Sequence, residues 1–349
     1  MSNIAVLTSG GDSPGMNAAV VSVARRAARL GMPLIGIQRG FNGLLGKGKT
    51  WEDDFVKLTL DMTLDIADLP GTYLRTARCM EFLDPSVRER AAGLLHEMDI
   101  AGLVVIGGNG SFTGAMRLCE LGVPCIGIPG TIDNDLAYTE MTLGYDTAVN
   151  VCVDAVRAIR ATSRSHDRPH VVEVMGRHCG DIALMTAVST GSEIVVVPEV
   201  KWNVDEVAAQ LNRHIARGNT RATVVVAEGC WESMKPFDVY SFLKPYGKQV
   251  FEGEPMTANR FASCLKRKCG MAEVRSTVVG YTQRGCTPCA RDSSFAFEAG
   301  AMAIELLKNG ISNEVIGVKN GRTFHMPIDK ALKAKRPFNK KLFDLVNDL

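Results

Sequence analysis

Short runs of apolar residues alternate along the chain with stretches whose apolar residues recur at helical spacing. The runs are rich in β-branched residues and show no polar alternation, which is typical of parallel strands buried on both faces. Strands are predicted at 4–8, 34–37, 103–106, 125–128, 171–175, 193–197, 223–227 and 276–280. Helices are predicted at 16–30, at 147–159, and from a cap at Asn203 to a stop at Gly218. This order favours an α/β fold, an open sheet with helices on both faces.

The composition is that of an ordinary globular protein. The 349 residues allow one large domain or two medium ones, and 46% of them are hydrophobic. A formal net charge of +2 gives no global field toward nucleic acid or membrane, so we expect neither partner, and any anion site must be local. We expect no signal peptide and no membrane span. A cytoplasmic protein with ten reduced cysteines is the expectation, including the lone pair Cys286 and Cys289.

Four glycine-containing loops follow predicted strands. They read "TSGGDSPGMNAAV" (8–20), "GGNGS" (107–111), "PGTIDND" (129–135) and "VEVMGRHCGD" (172–181). Glycines let the backbone approach a phosphate closely, and a following helix offers free N–H groups. Taken singly, the first loop could be an ordinary turn and the second is a weak signal.

Charged residues in and near these loops suggest chemistry. Asp133 and Asp135 could serve as a general base and a cation ligand, or the loop could be an Asx-turn that caps the next segment. Arg177 suits bidentate phosphate contacts, although a plain salt bridge is the alternative. Further arginines stand nearby, at Arg75, Arg78, Arg275 and Arg284. Several arginines beside glycine loops in a near-neutral chain indicate a doubly phosphorylated reaction centre.

The motif set resembles the bacterial-type, ATP-dependent 6-phosphofructokinase family. It comprises "TSGGDSPGMNAA", "GTYLRTAR", "GGNGS", "PGTIDND", "SHDRPHVVEVMGRHCGD", "VVVPEV", "AEG" and "VVGYTQRG", in the family's order, over residues 3 to about 320. The resemblance implies two Rossmann-like three-layer α/β/α domains with mostly parallel sheets and an active site in the cleft between them. It also implies phosphoryl transfer from ATP to the 1-hydroxyl of fructose 6-phosphate, with Mg²⁺ as cofactor.

The resemblance also implies domain boundaries. The nucleotide-binding domain is expected at 1–137 plus about 255–305, and the sugar-phosphate domain at 138–254 plus about 306–320. Residues from about 321 to 349, which are Lys-rich, are expected to form a C-terminal surface segment. Residues 235–257 are expected to form a long surface excursion.

Residue roles follow from the same resemblance. Asp133 accepts the sugar hydroxyl proton, Thr131 orients nearby oxygens, and Arg78 and Arg177 stabilise the transferring phosphoryl group. The expected sugar-phosphate residues are Arg168, Met175, Gly176, Arg177, Glu228, Arg275, Tyr281 and Arg284. The expected nucleotide residues are Gly11, Phe41, Arg78, Cys79, Gly108, Asn109, Gly110 and Ser111. In the family the clamp of Arg168 and Arg275 comes from a neighbouring subunit, which implies a homo-oligomer, with the tetramer favoured.

Small residues at two positions favour ATP over pyrophosphate. Pyrophosphate-using relatives tend to carry aspartate and lysine where this chain has Gly110 and Gly130. A bulky charged side chain there would occupy the space of the nucleotide's α-phosphate, whereas glycine leaves it open.

Two residues at the expected site depart from the family pattern. Asn109 stands where an aspartate normally helps to hold Mg²⁺, so metal binding is expected to be weakened, with Asp135 as a further ligand. Tyr281 stands where histidine commonly contacts the sugar phosphate, and it brings no positive charge. These departures keep two alternatives open: a low-activity or regulatory paralogue, and a variant using pyrophosphate, another nucleotide or another sugar phosphate.

The expected effector pocket has also lost positive charge. Arg25, Arg160, Glu193 and Arg221 match the family's pocket for ADP and phosphoenolpyruvate. Val21 replaces an arginine, and "GNTR" at 218–221 replaces a lysine-rich stretch. Fewer cations predict weaker binding of anionic effectors.

Overall fold

The computed structural model describes residues 2–234, 256–271 and 273–348. The strands are β1 (Asn3–Thr8), β2 (Leu34–Ile37), β3 (Phe55–Leu58), β4 (Ile100–Gly107), β5 (Cys125–Pro129), β6 (His170–Val174), β7 (Ile194–Val196), β8 (Thr223–Ala227), β9 (Arg275–Val278), β10 (Glu314–Lys319) and β11 (Arg322–Pro327). The helices are α1 (Met16–Arg29), α2 (Trp51–Asp54), α3 (Leu60–Leu64), α4 (Pro85–Glu97), α5 (Asn109–Glu120), α6 (Tyr145–His166), α7 (Asp181–Thr190), α8 (Val204–Ala216), α9 (Cys230–Ser233), α10 (Ala258–Lys268), α11 (Ala290–Lys308), α12 (Ile328–Lys333) and α13 (Lys340–Asn347). Short 3₁₀ helices lie at Gly40–Leu45, Met80–Leu83 and Gly280–Gln283.

Two compact units share these elements. The first comprises Met1–Ala148 and Arg284–Arg336, and the second comprises Val149–Gln283 and Pro337–Leu349. Residues 256–271 and 273–283 therefore group with the second unit, and 306–320 with the first, which differs from the expected boundaries. Strand pairing gives the reason, because β9 pairs with β6 and β10 pairs with β5. The expected excursion at 235–257 lies outside the described residues as far as 255.

The first unit is built on a seven-stranded sheet in the order β11-β10-β5-β4-β1-β2-β3. Its five inner strands run parallel, and the edge strands β3 and β11 are antiparallel to their neighbours. Ile4 and Val6 belong to one buried cluster, whereas Ala5 and Leu7 belong to another. Since successive strand residues point to opposite faces, both faces of this sheet are covered, as the apolar runs predicted.

Helices α1 and α11 cover one face of this sheet together. A Cβ added at Gly300 would lie 2.6 Å from Cβ of Ser22 and 2.8 Å from the carbonyl oxygen of Ala19. The absence of a side chain at this glycine therefore lets the two helices approach closely.

The second unit has a four-stranded, all-parallel sheet in the order β7-β8-β6-β9. Helix α8 begins with the predicted capping box, in which Oδ1 of Asn203 accepts from the amide of Glu206 at 2.7 Å. Strand β9 forms one edge, and Val278 on it is 59% exposed. The other edge strand, β7, is held by Asn347, whose side chain bonds both the amide and the carbonyl of Val195.

The C-terminal residues contain regular structure, beyond the surface segment that was expected. β11 completes the large sheet, and α12 buries Ile328 and Ala331 against it. Helix α13 belongs to the second unit and buries Val346. In the part of the chain that the structure describes, we find no helix with the length and apolarity needed to cross a membrane.

Candidate active site

Three of the predicted loops meet at the carboxyl ends of the central strands of the large sheet. They follow β1, β4 and β5, which are neighbouring parallel strands, so their carboxyl ends lie side by side. The amide of Ser9 donates to the carbonyl of Ile106 at 2.9 Å, and the amide of Gly130 donates to the carbonyl of Gly107 at 3.0 Å. Ligands of open α/β sheets bind at such strand ends.

The first loop is fixed by contacts from distant segments. Gly10 has φ +93°, and its carbonyl accepts from Oγ1 of Thr76 at 3.0 Å. Nη1 of Arg284 donates to the carbonyl of Asp12 at 2.7 Å. A Cβ at Gly11 would come 2.7 Å from that Nη1, so the guanidinium rests on the glycine backbone. Arg284, expected at the sugar phosphate, here lies against the first loop.

The second loop leads directly into helix α5. Gly108 is the N-cap, and no side chain caps the first amides of this helix in the described structure. Such uncapped amides and the helix dipole favour negative charge at a helix start. Ser111 is buried, and a Cβ at Gly107 would lie 2.4 Å from its Oγ. A Cβ at Gly110, in contrast, would meet nothing within 4 Å, so space is open at the start of α5.

The third loop, which carries Asp133, is held in a specific shape. Oγ1 of the buried Thr142 donates to the carbonyl of Thr131 at 2.6 Å, and the amide of Asp133 donates to Oγ1 of Thr131 at 3.2 Å. Asn134 is buried with φ +51°, a left-handed conformation that asparagine tolerates better than most residues. Nη2 of Arg336 donates to the Asn134 carbonyl at 2.6 Å. The guanidinium thus bonds the backbone between the two aspartates.

Asn109 and Asp135 lie together beside these loops. Nδ2 of Asn109 is 3.5 Å from Oδ2 of Asp135, and both residues are exposed. Among the described residues there is no group of three His, Cys, Asp or Glu residues that could hold a metal. One carboxylate with an amide oxygen still suits Mg²⁺, which binds few protein oxygens and keeps waters or phosphate oxygens as its other ligands. The residues present therefore fit a weakly held Mg²⁺.

The remaining expected nucleotide residues differ in exposure. Phe41 is only 4% exposed and stacks on Phe82 at 4.4 Å between ring centroids, so its ring is part of the core. Cys79 is half-buried, and burial raises the pKa of its thiol. Arg78 is exposed, and its backbone carbonyl accepts from Nδ2 of Asn42 at 3.2 Å.

In the second unit, the ends of β6 and β8 carry the other predicted loop. The amide of Arg177 donates to Oε1 of Glu228 at 2.9 Å. Gly176 has φ +128°, and a Cβ there would lie 2.4 Å from the carbonyl of Cys179. Oε1 of Gln283, which is fully buried, accepts from the amide of Met175 at 3.1 Å. Met175, Gly176, Arg177 and Glu228 are thus brought together.

The expected phosphate clamp lies at the opposite ends of the same strands. Arg168 precedes β6 and Arg275 opens β9, and both form ion pairs with Glu273. Between them His170 is buried, with Nε2 2.8 Å from Oγ1 of Thr277. Burial lowers the pKa of His170 to about 4, and the charges of the two arginines add to the effect. Tyr281, in the 3₁₀ helix after β9, is 80% exposed.

The expected effector residues surround a surface cavity of about 180 Å³ in the second unit, with Arg25 outside it in the first unit. Glu193 accepts from both Nη atoms of Arg160 at 2.9 and 3.2 Å, and also from Asn219 at 3.0 Å. Burial acts to raise the pKa of Glu193, but these hydrogen bonds outweigh it and the pKa is lowered. Arg221 lines the same cavity.

The residues that sequence reasoning missed come from far along the chain. Arg336, Glu273 and Gln283 bond positions 202, 105 and 108 residues away. Gln283 stands in the quoted motif "VVGYTQRG", which was a usable signal. Arg336 and Glu273 stand in no motif.

Comparison with known proteins agrees with this geometry. A family model described as phosphofructokinase matches residues 3–307. The chain is 43% identical over 349 residues to an ATP-dependent 6-phosphofructokinase of Clostridium botulinum, covering 100% of this chain and 99% of the relative. The solved phosphofructokinase of Saccharomyces cerevisiae has a TM-score of 0.80 at 32% identity, covering 95% of this chain and 45% of that one. A pyrophosphate-dependent phosphofructokinase structure from Marinobacter aquaeolei has the same TM-score of 0.80 at 19% identity, covering 99% and 91%, a likeness of fold alone. The chain belongs to the phosphofructokinase family.

Proposed function

We propose that this chain transfers a phosphoryl group from MgATP to the 1-hydroxyl of fructose 6-phosphate, which gives fructose 1,6-bisphosphate in glycolysis. The observation that carries the proposal is the 43% identity, across the full length, to an ATP-dependent 6-phosphofructokinase. The open space at Gly110 supports ATP as donor, because a nucleotide's α-phosphate needs room there.

Asp133 acts as the general base. It accepts the proton of the sugar's 1-hydroxyl, and such help is worth about 10²–10⁴-fold in rate. Because phosphoryl transfer depends mostly on positioning and charge neutralisation, the shape of its loop matters as much as its carboxylate. Thr142 fixes the carbonyl of Thr131 and Arg336 fixes that of Asn134, so the loop is supported on both sides of Asp133.

The first unit binds the nucleotide. The amides at the start of α5 donate to phosphate oxygens, with Ser111 as a further donor. Arg78 and Arg177 stabilise the charge on the transferring group. Asn109 and Asp135 would hold Mg²⁺, which would neutralise charge on the phosphate oxygens when bound.

The second unit binds the sugar phosphate. Glu228 accepts from a sugar hydroxyl while bonded to the Arg177 amide. Arg168 and Arg275, at the opposite ends of the strands, hold the 6-phosphate of a sugar bound by a neighbouring subunit. The exposed side chain of Tyr281 can donate one hydrogen bond but no charge. We therefore expect affinity for the phosphate to depend mainly on the two arginines.

The protein works as a homo-oligomer, with a tetramer and shared active sites favoured by the family resemblance. Support comes from β9, which is an edge strand among the described residues. Val278 on this strand is 59% exposed, and Tyr281, in the 3₁₀ helix that follows it, is 80% exposed. Exposed apolar side chains on an unpaired sheet edge are typical of a surface that another chain covers.

The effector cavity binds anions weakly. Its acid Glu193 already takes two hydrogen bonds from Arg160, so part of the cavity's positive charge is neutralised internally. Asn219, in the stretch "GNTR" that replaces a lysine-rich one, brings no charge and donates to the same carboxylate. ADP and phosphoenolpyruvate should therefore change the rate little at concentrations that saturate the active site.

A coupled assay tests the proposal. Purified protein receives Mg²⁺, fructose 6-phosphate and either ATP or pyrophosphate, and formation of fructose 1,6-bisphosphate is followed. Turnover with ATP but not with pyrophosphate supports the proposal. Turnover with pyrophosphate but not with ATP contradicts the assignment of ATP as the phosphoryl donor. One observation favours a second candidate, a low-activity regulatory paralogue: the metal position carries the neutral Asn109. Tight binding of both ligands without turnover would support that candidate.

A further inference from the structure

Glu273 stands between the two arginines that the proposed function assigns to the sugar phosphate. One carboxylate oxygen pairs with Nη1 of Arg168 and the other pairs with Nη2 of Arg275. The three side chains belong to the same unit, because β6 and β9 are neighbouring parallel strands that begin side by side. A single carboxylate therefore links two cations that come from different strands.

Without a carboxylate, two guanidinium groups at adjacent strand starts would repel each other and spread apart. The register sets Arg275 directly opposite His170, two residues after Arg168, and the amide of Arg275 donates to the carbonyl of Pro169 at 3.3 Å. Burial lowers the pKa of His170 to about 4, so this side chain adds no positive charge at neutral pH. Glu273 is the group that balances the charge of the two arginines.

The pairing leaves most of each guanidinium available. An arginine has five N–H donors, and Glu273 takes one nitrogen from each partner. The side chain of Arg275 is 58% exposed and that of Arg168 is 20% exposed, so both can reach a ligand while they stay paired. One carboxylate and two guanidiniums sum to a charge of +1, which still attracts a dianionic phosphate ester.

We propose that Glu273 is a positioning residue, which holds Arg168 and Arg275 as a preformed fork for the sugar's phosphate group. The inference rests on the proposed function for the identity of that ligand. Preorganisation of this kind raises affinity, because the bound geometry is already set before the ligand arrives. The opposite hypothesis is that Glu273 competes with the phosphate and must leave the arginines when the phosphate binds. Loss of the carboxylate should raise KM for fructose 6-phosphate under the first hypothesis and lower it under the second.

The substitution Glu273→Gln separates them. A glutamine oxygen can accept from one arginine, but its NH₂ group opposes the other, so the fork opens with little change in volume. We expect KM for fructose 6-phosphate to rise about tenfold, the size of one lost charge-assisted hydrogen bond. The values of kcat and of KM for ATP should stay within about twofold of wild type, since neither depends on this fork. Asp205→Asn, which removes another acid–base pair of the second unit, is the matched control.

A second comparison excludes a general structural effect. In the Arg275→Ala background the carboxylate has no second cation to position, so adding Glu273→Gln should raise KM much less than it does in wild type. Equal effects in both backgrounds would mean that Glu273 only supports the fold. A fall in KM would show that it competes with the ligand, and an unchanged KM would show that it does not act on the clamp. Each of these results overturns the inference.

Failure of the inference can be told from failure of the proposed function. If wild-type protein does not phosphorylate fructose 6-phosphate, the proposed function fails. Calorimetric binding of fructose 6-phosphate without nucleotide then decides the role of Glu273, with about a tenfold rise in Kd expected for Glu273→Gln. Wild-type turnover with an unaltered variant refutes the inference alone.

Discussion

Replacing Gly110 by aspartate tests where the nucleotide phosphates bind. Gly110 is the second residue of α5, it is exposed, and a Cβ there meets nothing within 4 Å. The backbone and its neighbours therefore accept a side chain without strain. An acidic residue in the first turn also favours the helix by about 0.3–1 kcal/mol, and loss of a helical glycine by about 0.5–1 kcal/mol. The variant should fold at least as stably as wild type.

The effect on the affinity for ATP should be large, because the new carboxylate lies where a phosphate would accept hydrogen bonds from the helix amides. With a separation of about 5 Å and an effective dielectric constant of about 20, two unit charges repel by about 3 kcal/mol. That energy corresponds to about a hundredfold loss of affinity. The figure applies per unit of phosphate charge, so a hundredfold rise in KM for ATP is a conservative expectation.

Two control variants separate charge from size. Gly110→Ala adds only the Cβ, which enters open space, so KM for ATP should stay within about threefold of wild type. Gly110→Asn has the shape of aspartate without its charge and should fall between the two. Rates are measured at saturating fructose 6-phosphate in the coupled assay, and thermal unfolding confirms that each variant is folded.

The reasoning fails in either of two ways. A folded Gly110→Asp variant with wild-type KM for ATP would mean that the triphosphate does not approach the start of α5. An asparagine variant as impaired as the aspartate variant would mean that steric exclusion, and not repulsion, controls this position. The second result would retain the binding site but exclude charge repulsion as the cause of the lost affinity.

The remaining predictions concern the metal, the base, its loop and stability. Asn109→Asp should lower the Mg²⁺ concentration that gives half-maximal rate, and an unchanged requirement would separate this residue from the metal. Asp133→Ser should reduce kcat about 10²–10⁴-fold, and near-normal turnover would remove the assignment of the base. Arg336→Met, which removes the donor to the carbonyl of Asn134, should lower kcat about tenfold and change both KM values by less than about twofold; a selective rise in either KM would contradict a positioning role. His170 has a folded pKa of about 4, below its ordinary value of 6.5, so the unfolded chain binds its proton first and stability should fall as pH drops from about 6.5 to 4, by up to about 3 kcal/mol. Urea unfolding at pH 7 and pH 5 should show about 2 kcal/mol of this loss in wild type and a smaller loss in His170→Asn.

The strands that sequence could predict are those with one dominant local signal. All eight predicted strands are present. Seven of them are apolar runs buried by their neighbours, whereas β9 is a partly exposed edge strand. The strands that were missed are β3, β10 and β11. The local signal is weak in β3 and β11, whereas β10 contains a buried apolar run that could have indicated a strand. In β3 Lys57 is exposed, and β11 is a polar edge strand of the Lys-rich tail that exists because β10 lies beside it. Such pairing depends on the rest of the sheet and is not encoded in the segment alone.

The candidate site divides in the same way. The glycine loops could be predicted because glycine is the residue that lets the backbone approach a phosphate closely, and it is visible in the sequence. Glu273 and Arg336 could not be predicted, since an arginine or glutamate outside a motif reads as a surface residue. Arg168, one partner of Glu273, and Asn134, the partner of Arg336, lie more than 100 residues away in sequence. Only the paired strands and the folded tail bring these residues together.

The neutral residue at position 109 has a physical consequence for the site as a whole. Its amide nitrogen lies 3.5 Å from the Asp135 carboxylate, so an aspartate here would set two negative oxygens at about that distance. Two such carboxylates repel each other unless a cation lies between them, and the repulsion raises one of their pKa values. Asparagine removes this conflict in the metal-free protein by offering a donor to Asp135. The same change removes a charge that would attract Mg²⁺, so the residue that relaxes the free site also weakens its hold on the metal. A smaller dependence of thermal stability on Mg²⁺ should therefore accompany the higher Mg²⁺ requirement, and both should reverse together in Asn109→Asp.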